Sequence, residues 1–375
     1  MKNKFNHLIN QNQIALMKKL LVLFLLFALV LMNACKQPTV KTETNAIWSK
    51  EKAMLWQAKA GWLSGSNFLP SSAVNALEFW QKDTFDPITI DRELGMAEGL
   101  GFNIMRVWLN SLVWKEDPQG FKDRVDQYLT ISQKHGISTM FVFFCDCFNP
   151  DSKPGLQPAP KPGVHNSQWV QDPSCDLRKD TTTLYPWLEK YVKDIISTYK
   201  DDARVMVWDL YNEPGNGGHG NGSLPLVKNV FGWAREINPS QPLTVGIYKL
   251  EFIKLNEFAI NNSDIITYHN YNDVPLQSTW VSLLKLFGRP LICTEWMARH
   301  FNSKFQNVLP MLRRENVGSI NWGLVAGKTN TLYKWGEPIP DGTEPKLWFH
   351  DILRIDGTPF DSAEIDSIKA VNKRK

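Results

Sequence analysis

The sequence predicts an α/β protein, a single (β/α)8 TIM barrel, and three observations predict it. Short apolar runs recur along the chain, stretches with helical apolar stripes separate them, and there are eight such runs. Strands apolar on both faces belong to a parallel sheet covered by helices, and eight βα units close the sheet on itself. An open doubly wound sheet is the alternative architecture.

In chain order the runs are WLSGSNF (62–68), NIMRVW (103–108), STMFVFF (138–144), VMVWDLY (205–211), PLTVGIY (242–248), DIITYHN (264–270), PLICTEW (290–296) and SINWGLV (319–325). Between the third and fourth, Leu184, Leu188, Tyr191, Val192, Ile195, Ile196 and Tyr199 fall at helical spacing, a stripe suited to packing on a sheet. Shorter stripes run through Phe121, Val125, Tyr128 and Leu129, and through Ile90, Leu94, Ala97 and Leu100. One connection, 150–173, carries six of the 22 prolines together with His165 and Trp169. A long ordered loop of this kind is expected to wall a site; the other reading is a disordered insertion.

Residues 1–34 describe transport rather than fold. They carry four lysines, no acidic residue, and an apolar run of 13 residues, Leu20 to Met32. That run is too short for a bilayer core, which needs about 20 residues, and suits a secretory signal. LMNAC resembles the bacterial lipoprotein signal, which implies lipidation at Cys35, export, and a periplasmic or cell-surface membrane anchor. The expected organisation is a signal peptide at 1–34, a polar tether at 35–55 and a catalytic barrel at 56–375.

Without the signal the chain holds 38 basic and 38 acidic residues, so it lacks the electrostatic footprint of a nucleic-acid binder. The five cysteines show no zinc spacing and the histidines no HExxH, so neither a metal nor an organic cofactor is expected. A bridge from Cys147 to Cys293 or to Cys175 is open in an exported protein. The chain is expected to act as a monomer.

In a parallel barrel all strand C-termini share one face, and here they deliver Asn67, Arg106, Trp108, Asp146, Asn212, Glu213, His269, Tyr271, Glu295 and Trp322. Glu213 and Glu295 each end a buried run, where an unpaired carboxylate is costly and therefore points to chemistry. Two carboxylates across a cleft are what glycosidic cleavage requires, one protonated and one ionised. Arg106 could hold one of them ionised, and that charge would raise the other. A retaining enzyme separates the pair by about 5–5.5 Å, an inverting one by about 6.5–9.5 Å.

With Asn212-Glu213-Pro214 after the fourth run and Thr294-Glu295-Trp296 after the seventh, the chain resembles the clan A retaining β-glycosidases. It is most similar to the cellulase and mannanase group of glycoside hydrolase family five. The resemblance implies an acid/base at Glu213, a nucleophile at Glu295, and a contact from Asn212 to the hydroxyl beside the anomeric carbon. It also implies Arg106 beside the nucleophile, a His269 and Tyr271 pair with Tyr271 donating to Glu295, and Trp322 as the sugar floor. Asn67 belongs to the same strand-end set, and Trp108, Trp169 and Trp296 are expected to line the cleft, because indole stacks on sugar faces. Asn110 stands where many relatives place a histidine. Asp146 is either a site residue or a buried structural group, and Lys249 and Glu251 either reach distal sugars or belong to a solvated loop. A β-mannan or β-glucan type oligo- or polysaccharide is the expected partner. The alternatives are a non-catalytic glycan-binding lipoprotein, or a transglycosylase using the same residues.

Overall fold

A computed structural model describes residues 46–373. Cys35, the signal segment and most of the tether lie outside the described residues.

All eight runs form strands: β1 Ser64–Asn67, β2 Ile104–Trp108, β3 Ser138–Cys145, β4 Val205–Asn212, β5 Leu243–Thr244, β6 Ile266–His269, β7 Leu291–Glu295 and β8 Gly318–Asn321. Every ladder is parallel, and the strand order is β5-β4-β3-β2-β1-β8-β7-β6. The pairing of β1 with β8 rules out the open doubly wound sheet. The seam between β5 and β6 is joined by one parallel bridge, Ile247 to Tyr268, which completes the ring.

The apolar stripes form helices where the spacing predicts them, at Pro87–Gly99, Pro118–Lys134 and Thr181–Tyr199, and all their stripe residues are buried. Proline occupies the first turn of the first two, where its missing N–H has no partner to lose. Asp86, Asp117 and Asp180 accept from backbone N–H groups at the three N-termini.

The tether differs from expectation. A helix runs from Lys50 to Ala60, capped by Ser49, and crosses the expected boundary at 56. Trp56 and Ala60 on this helix pack against Leu63, Ile104, Met140, Val207, Ile265, Ile292 and Ile320. These residues sit at the strand N-termini, so the helix plugs the bottom of the barrel. The Trp48 amide donates to Asp264 at 2.8 Å and the Trp48 carbonyl accepts from Arg289 at 2.9 Å, which fixes the entry of the chain. The opposite end, formed by the strand C-termini, is left for the site.

Candidate active site

The four residues before Glu213 are buried in β4, and Glu213 itself has φ of 47°. A non-glycine residue in the left-handed region is strained, and the turn lifts its carboxylate out of the strand line while Pro214 prevents the ladder from continuing. Asp146 stabilises this turn. It accepts from the Tyr211 hydroxyl at 2.7 Å, Arg178 at 2.6 Å, the Gly215 amide at 2.6 Å and the Ser223 hydroxyl at 2.5 Å. Asp146 is therefore the buried structural group of the two readings. Gly215, Gly217 and Gly220 share the spacing of a dinucleotide-binding loop, but Gly215 and Gly217 flank Asn216 in a turn, and a 3-10 turn beginning at Gly220 precedes the next helix.

Arg106, wholly buried on β2, organises the floor. It donates to Asp209 (Nε, 2.9 Å), Asn67 (3.0 Å), Glu295 (2.9 Å) and Asn212 (2.7 Å), and its guanidinium lies 4.6 Å from the centre of the Trp108 ring. Tyr271 donates to the other Glu295 oxygen at 2.8 Å. Asn67 in turn donates to the Thr294 and Asn321 carbonyls, so it positions Arg106 and does not line the cleft.

Glu213 accepts from Asn216 at 2.6 Å and from the Cys147 thiol at 3.2 Å, and its second oxygen lies 2.9 Å from His269 Nδ1. The same ring nitrogen is 3.4 Å from Glu295, and a carboxylate oxygen of each glutamate lies within 4.8 Å of the other. Oxygens this close are compatible with the retaining separation.

The electrostatics differ from the simple expectation for Arg106. Its charge is shared with buried Asp209, 2.7 Å away, so it does not serve Glu295 alone. Burial pushes the Glu295 carboxyl up and the Glu213 charge adds to it, against His269, Arg106 and Tyr271. Burial also raises Glu213, but His269, Cys147 and Asn216 outweigh it and hold the carboxyl below its ordinary value. The two groups titrate as one unit, because ionising either penalises the other. Arg106 thus pairs two buried carboxylates, Asp209 and Glu295, while the partly exposed Glu213 lies 2.9 Å from His269 Nδ1.

Among the described residues, Glu213, His269 and Glu295 are the group that could hold a metal ion. Arg106, already 2.9 Å from Glu295, opposes a second cation there.

The cleft is a cavity of about 940 Å³ that contains Glu213, Glu295, Asn212, His269, Tyr271, Trp169 and Trp322. The proline-rich loop does wall it, through Lys161, His165, Asn166 and Trp169. Lys249 and Glu251 reach its rim, which joins the two readings of that loop, exposed yet facing the cleft. Two expected lining residues, Trp296 and Trp108, lie elsewhere. Trp296 is fully buried, donates to Ser319 at 3.0 Å and packs on Phe305; side chains alternate along a strand, so with Glu295 pointing inward its neighbour points out. Trp108 stands behind Trp169 and Trp322 and supports them edge-on at 5.1 and 5.3 Å. Asn110 caps the helix Ser111–Glu116 and makes no cleft contact. The cysteines Cys145, Cys147, Cys175 and Cys293 are free, so neither of the bridges left open by the sequence is present.

Sequence reasoning missed Cys147, Asn216, Asn166 and Trp335. Trp335, 37% exposed on a second turn-rich segment, packs edge-on against Tyr271 with ring centres 4.8 Å apart. Its signal was a lone tryptophan among glycines and prolines at 327–342.

Residues 75–327 match the family model of cellulase, glycosyl hydrolase family 5. The chain belongs to that family. As a family 5 member it is a retaining β-glycoside hydrolase. Mannan endo-1,4-beta-mannosidase 5 of Solanum lycopersicum is 21% identical over 332 residues, covering 76% of this chain and 75% of that protein. Among solved structures, GH5_18 from Streptomyces cattleya, in complex with Manβ1-4GlcNAc, has the same fold with a TM-score of 0.58. It is 12% identical, over 83% of this chain and 80% of that one. The endo-beta-1,4-mannanase of Thermotoga petrophila follows at 0.56 and 14% identity, over 85% and 78%.

Two expectations follow from the geometry. Cys147→Ala removes a neutral donor from Glu213, since burial keeps this thiol protonated. It is expected to lower kcat by about 3–10-fold and to move the basic limb of the pH profile, at the scale of one hydrogen bond to a charged group; Cys147→Ser, which keeps a donor, should recover most of the loss. Asp172 accepts from the Ser111 amide at 2.7 Å and ties the loop to β3, and burial lifts its carboxyl to about 6. The unfolded chain ionises it near pH 4 while the folded chain keeps the proton, so its stabilisation is present below about pH 4 and is lost as pH rises to about 6. Urea unfolding at both ends of that window should show about 3 kcal/mol less pH-dependent loss in Asp172→Asn than in wild type.

Proposed function

We propose that this enzyme cleaves β-1,4-linked mannosides with Glu213 as acid/base and Glu295 as nucleophile. The observation that carries the roles is the unequal setting of two close carboxylates. Glu295 is fixed from both sides by Arg106 and Tyr271, as an attacking group must be, whereas Glu213 keeps an edge open to the cleft beside His269, where a proton can be delivered to a leaving oxygen.

In the first step a Glu295 oxygen attacks the anomeric carbon while Glu213 gives its proton to the departing glycosidic oxygen. The bond to the leaving sugar breaks and a glycosyl ester forms at Glu295. Sugar filling the cleft expels water from the exposed edge of Glu213, which favours its neutral form. In the second step Glu213 takes a proton from water, the water oxygen bonds to the anomeric carbon, and Glu295 leaves as carboxylate. Asn212, held by Arg106 through its amide oxygen, donates its amide N–H to the Cys145 sulfur at 3.3 Å, a weak acceptor that the sugar hydroxyl beside the reacting carbon would outcompete, and a contact there that strengthens with developing charge lowers the barrier. The tomato mannosidase relatives support manno-configured substrates. The LMNAC motif supports a lipid at Cys35 and attachment to a membrane.

The test is a rate comparison on β-1,4-manno- and β-1,4-gluco-oligosaccharides with Glu213→Gln as control. Manno chains are expected to react faster by about tenfold or more, the scale of one buried hydroxyl contact. Faster gluco cleavage would overturn the mannoside assignment. Equal wild-type and Glu213→Gln rates would overturn the role of Glu213.

A further inference from the structure

The geometry points to action at a chain end: the cleft holds one sugar on the glycone side of the scissile bond and releases single units from the non-reducing terminus. This inference rests on the acid and nucleophile roles proposed above.

The direction of the bound chain follows from those roles. An acid stands on the side of the leaving group, so the aglycone lies beyond Glu213, at the end of β4, and the glycone extends the opposite way over Trp322, just after β8. In the ring of eight strands β4 and β8 are opposite each other, so the chain runs across the barrel mouth.

Beyond Trp322 the path is closed. The proline-rich loop after β3 and the 327–342 segment after β8 are joined by the Asn166 amide to the Thr329 carbonyl (2.8 Å), the Ile339 amide to the Gly163 carbonyl (3.1 Å) and the Asn330 side chain to the Lys161 carbonyl (2.9 Å). Trp335 adds a fourth link, its indole N–H lying 3.1 Å from His165 Nε2. Gly163 fits this seam so closely that an added Cβ would lie 1.7 Å from the Ile339 carbonyl oxygen, and its φ is +66°. The loop after β1 is tied in as well, through Asn75 to the Gln168 carbonyl and the Lys328 amide to the Ser71 carbonyl. Trp169 stands on the sugar floor itself, edge-on to Trp322 at 5.6 Å.

Among the described residues, none from the loops after β1 and β2 lines the cavity, whereas those after β5 and β6 contribute Tyr248, Lys249, Glu251 and Asn272, joined by Trp280 from the following helix Val274–Lys285. The aglycone side is therefore open to a long chain. Asn166 stands on the closed wall, 4% exposed and held there by the Thr329 carbonyl. A chain continuing past this wall would collide with the seam behind it.

The test follows products from manno- and gluco-hexaoses labelled at the reducing end, with the purified full chain. The expected pattern is a ladder in which the labelled product shortens by one unit at a time and the unlabelled product is a monosaccharide from the earliest sample. Short labelled fragments appearing first, or unlabelled di- and trisaccharides, would overturn chain-end action. Cleavage of the gluco series alone would count against the mannoside assignment while the ladder still decides the mode. No cleavage of either series would overturn both. Gly163→Val, which pries the seam apart, is expected to add internal cuts. Internal cuts already dominant in the wild type would show that the wall does not limit the chain.

Discussion

Replacing Glu295 with alanine is expected to lower kcat by about 10,000-fold or more on any β-glycoside, the scale seen when a covalent nucleophile is removed. Azide at high concentration should restore part of the rate. With the Glu295 carboxylate gone, azide enters from its face and yields the α-glycosyl azide. In Glu213→Ala the first step still places the sugar on Glu295, and azide then displaces it to give the β-glycosyl azide. That variant should lose about 100- to 10,000-fold on a poor leaving group, the span of general acid catalysis, and far less on a nitrophenyl glycoside that needs no proton. The two azide anomers separate the roles directly. The pattern is informative because burial raises Glu295 and His269 lowers Glu213 in the free site, the reverse of the resting order that an acid at Glu213 would have. An α-azide from Glu213→Ala would exchange the assignments.

Arg106→Met is expected to produce the largest loss of stability at the site, about 3–5 kcal/mol by urea unfolding, because it strands a buried carboxylate. Asp209 is wholly buried, and burial raises its carboxyl against the pull of Arg106. Glu295 and the amide oxygens of Asn67 and Asn212 lose their donor at the same time. Adding Asp209→Leu should return much of the stability by removing the stranded charge, yet leave kcat depressed, since Glu295 and Asn212 remain unfixed. Recovery of both would mean that Arg106 acts only through Asp209.

The barrel was legible because its strands are apolar on both faces, and even β5, two residues long, sits inside a readable run. The helix Lys50–Ala60 was not, since only Ala53 is fully buried and its polar surface reads as tether. At the site, strand-end logic found Glu213, Glu295, Arg106, His269 and Tyr271, because one face gathers them whatever their separation. It misplaced Trp296, whose neighbour takes the inward position, and counted Asn67 and Trp108 as lining when they stand one layer behind. Cys147 was passed over because its contact with Glu213 depends on the register of β3 with β4, in which Cys145 faces Asn212. Asn166 and Trp335 depend on two loops meeting across the barrel mouth, which no local pattern records.

The central claim is that Glu295 becomes bonded to the sugar. A 2-deoxy-2-fluoro β-mannoside with a good leaving group slows both steps and lets the glycosyl ester accumulate, so peptide mapping of the inactivated protein tests it most directly. The expected result is one fluorosugar per chain, carried by the peptide that contains Thr294-Glu295-Trp296, and no labelling in Glu295→Gln. A label on the Glu213 peptide, or turnover with no labelled peptide, would contradict it.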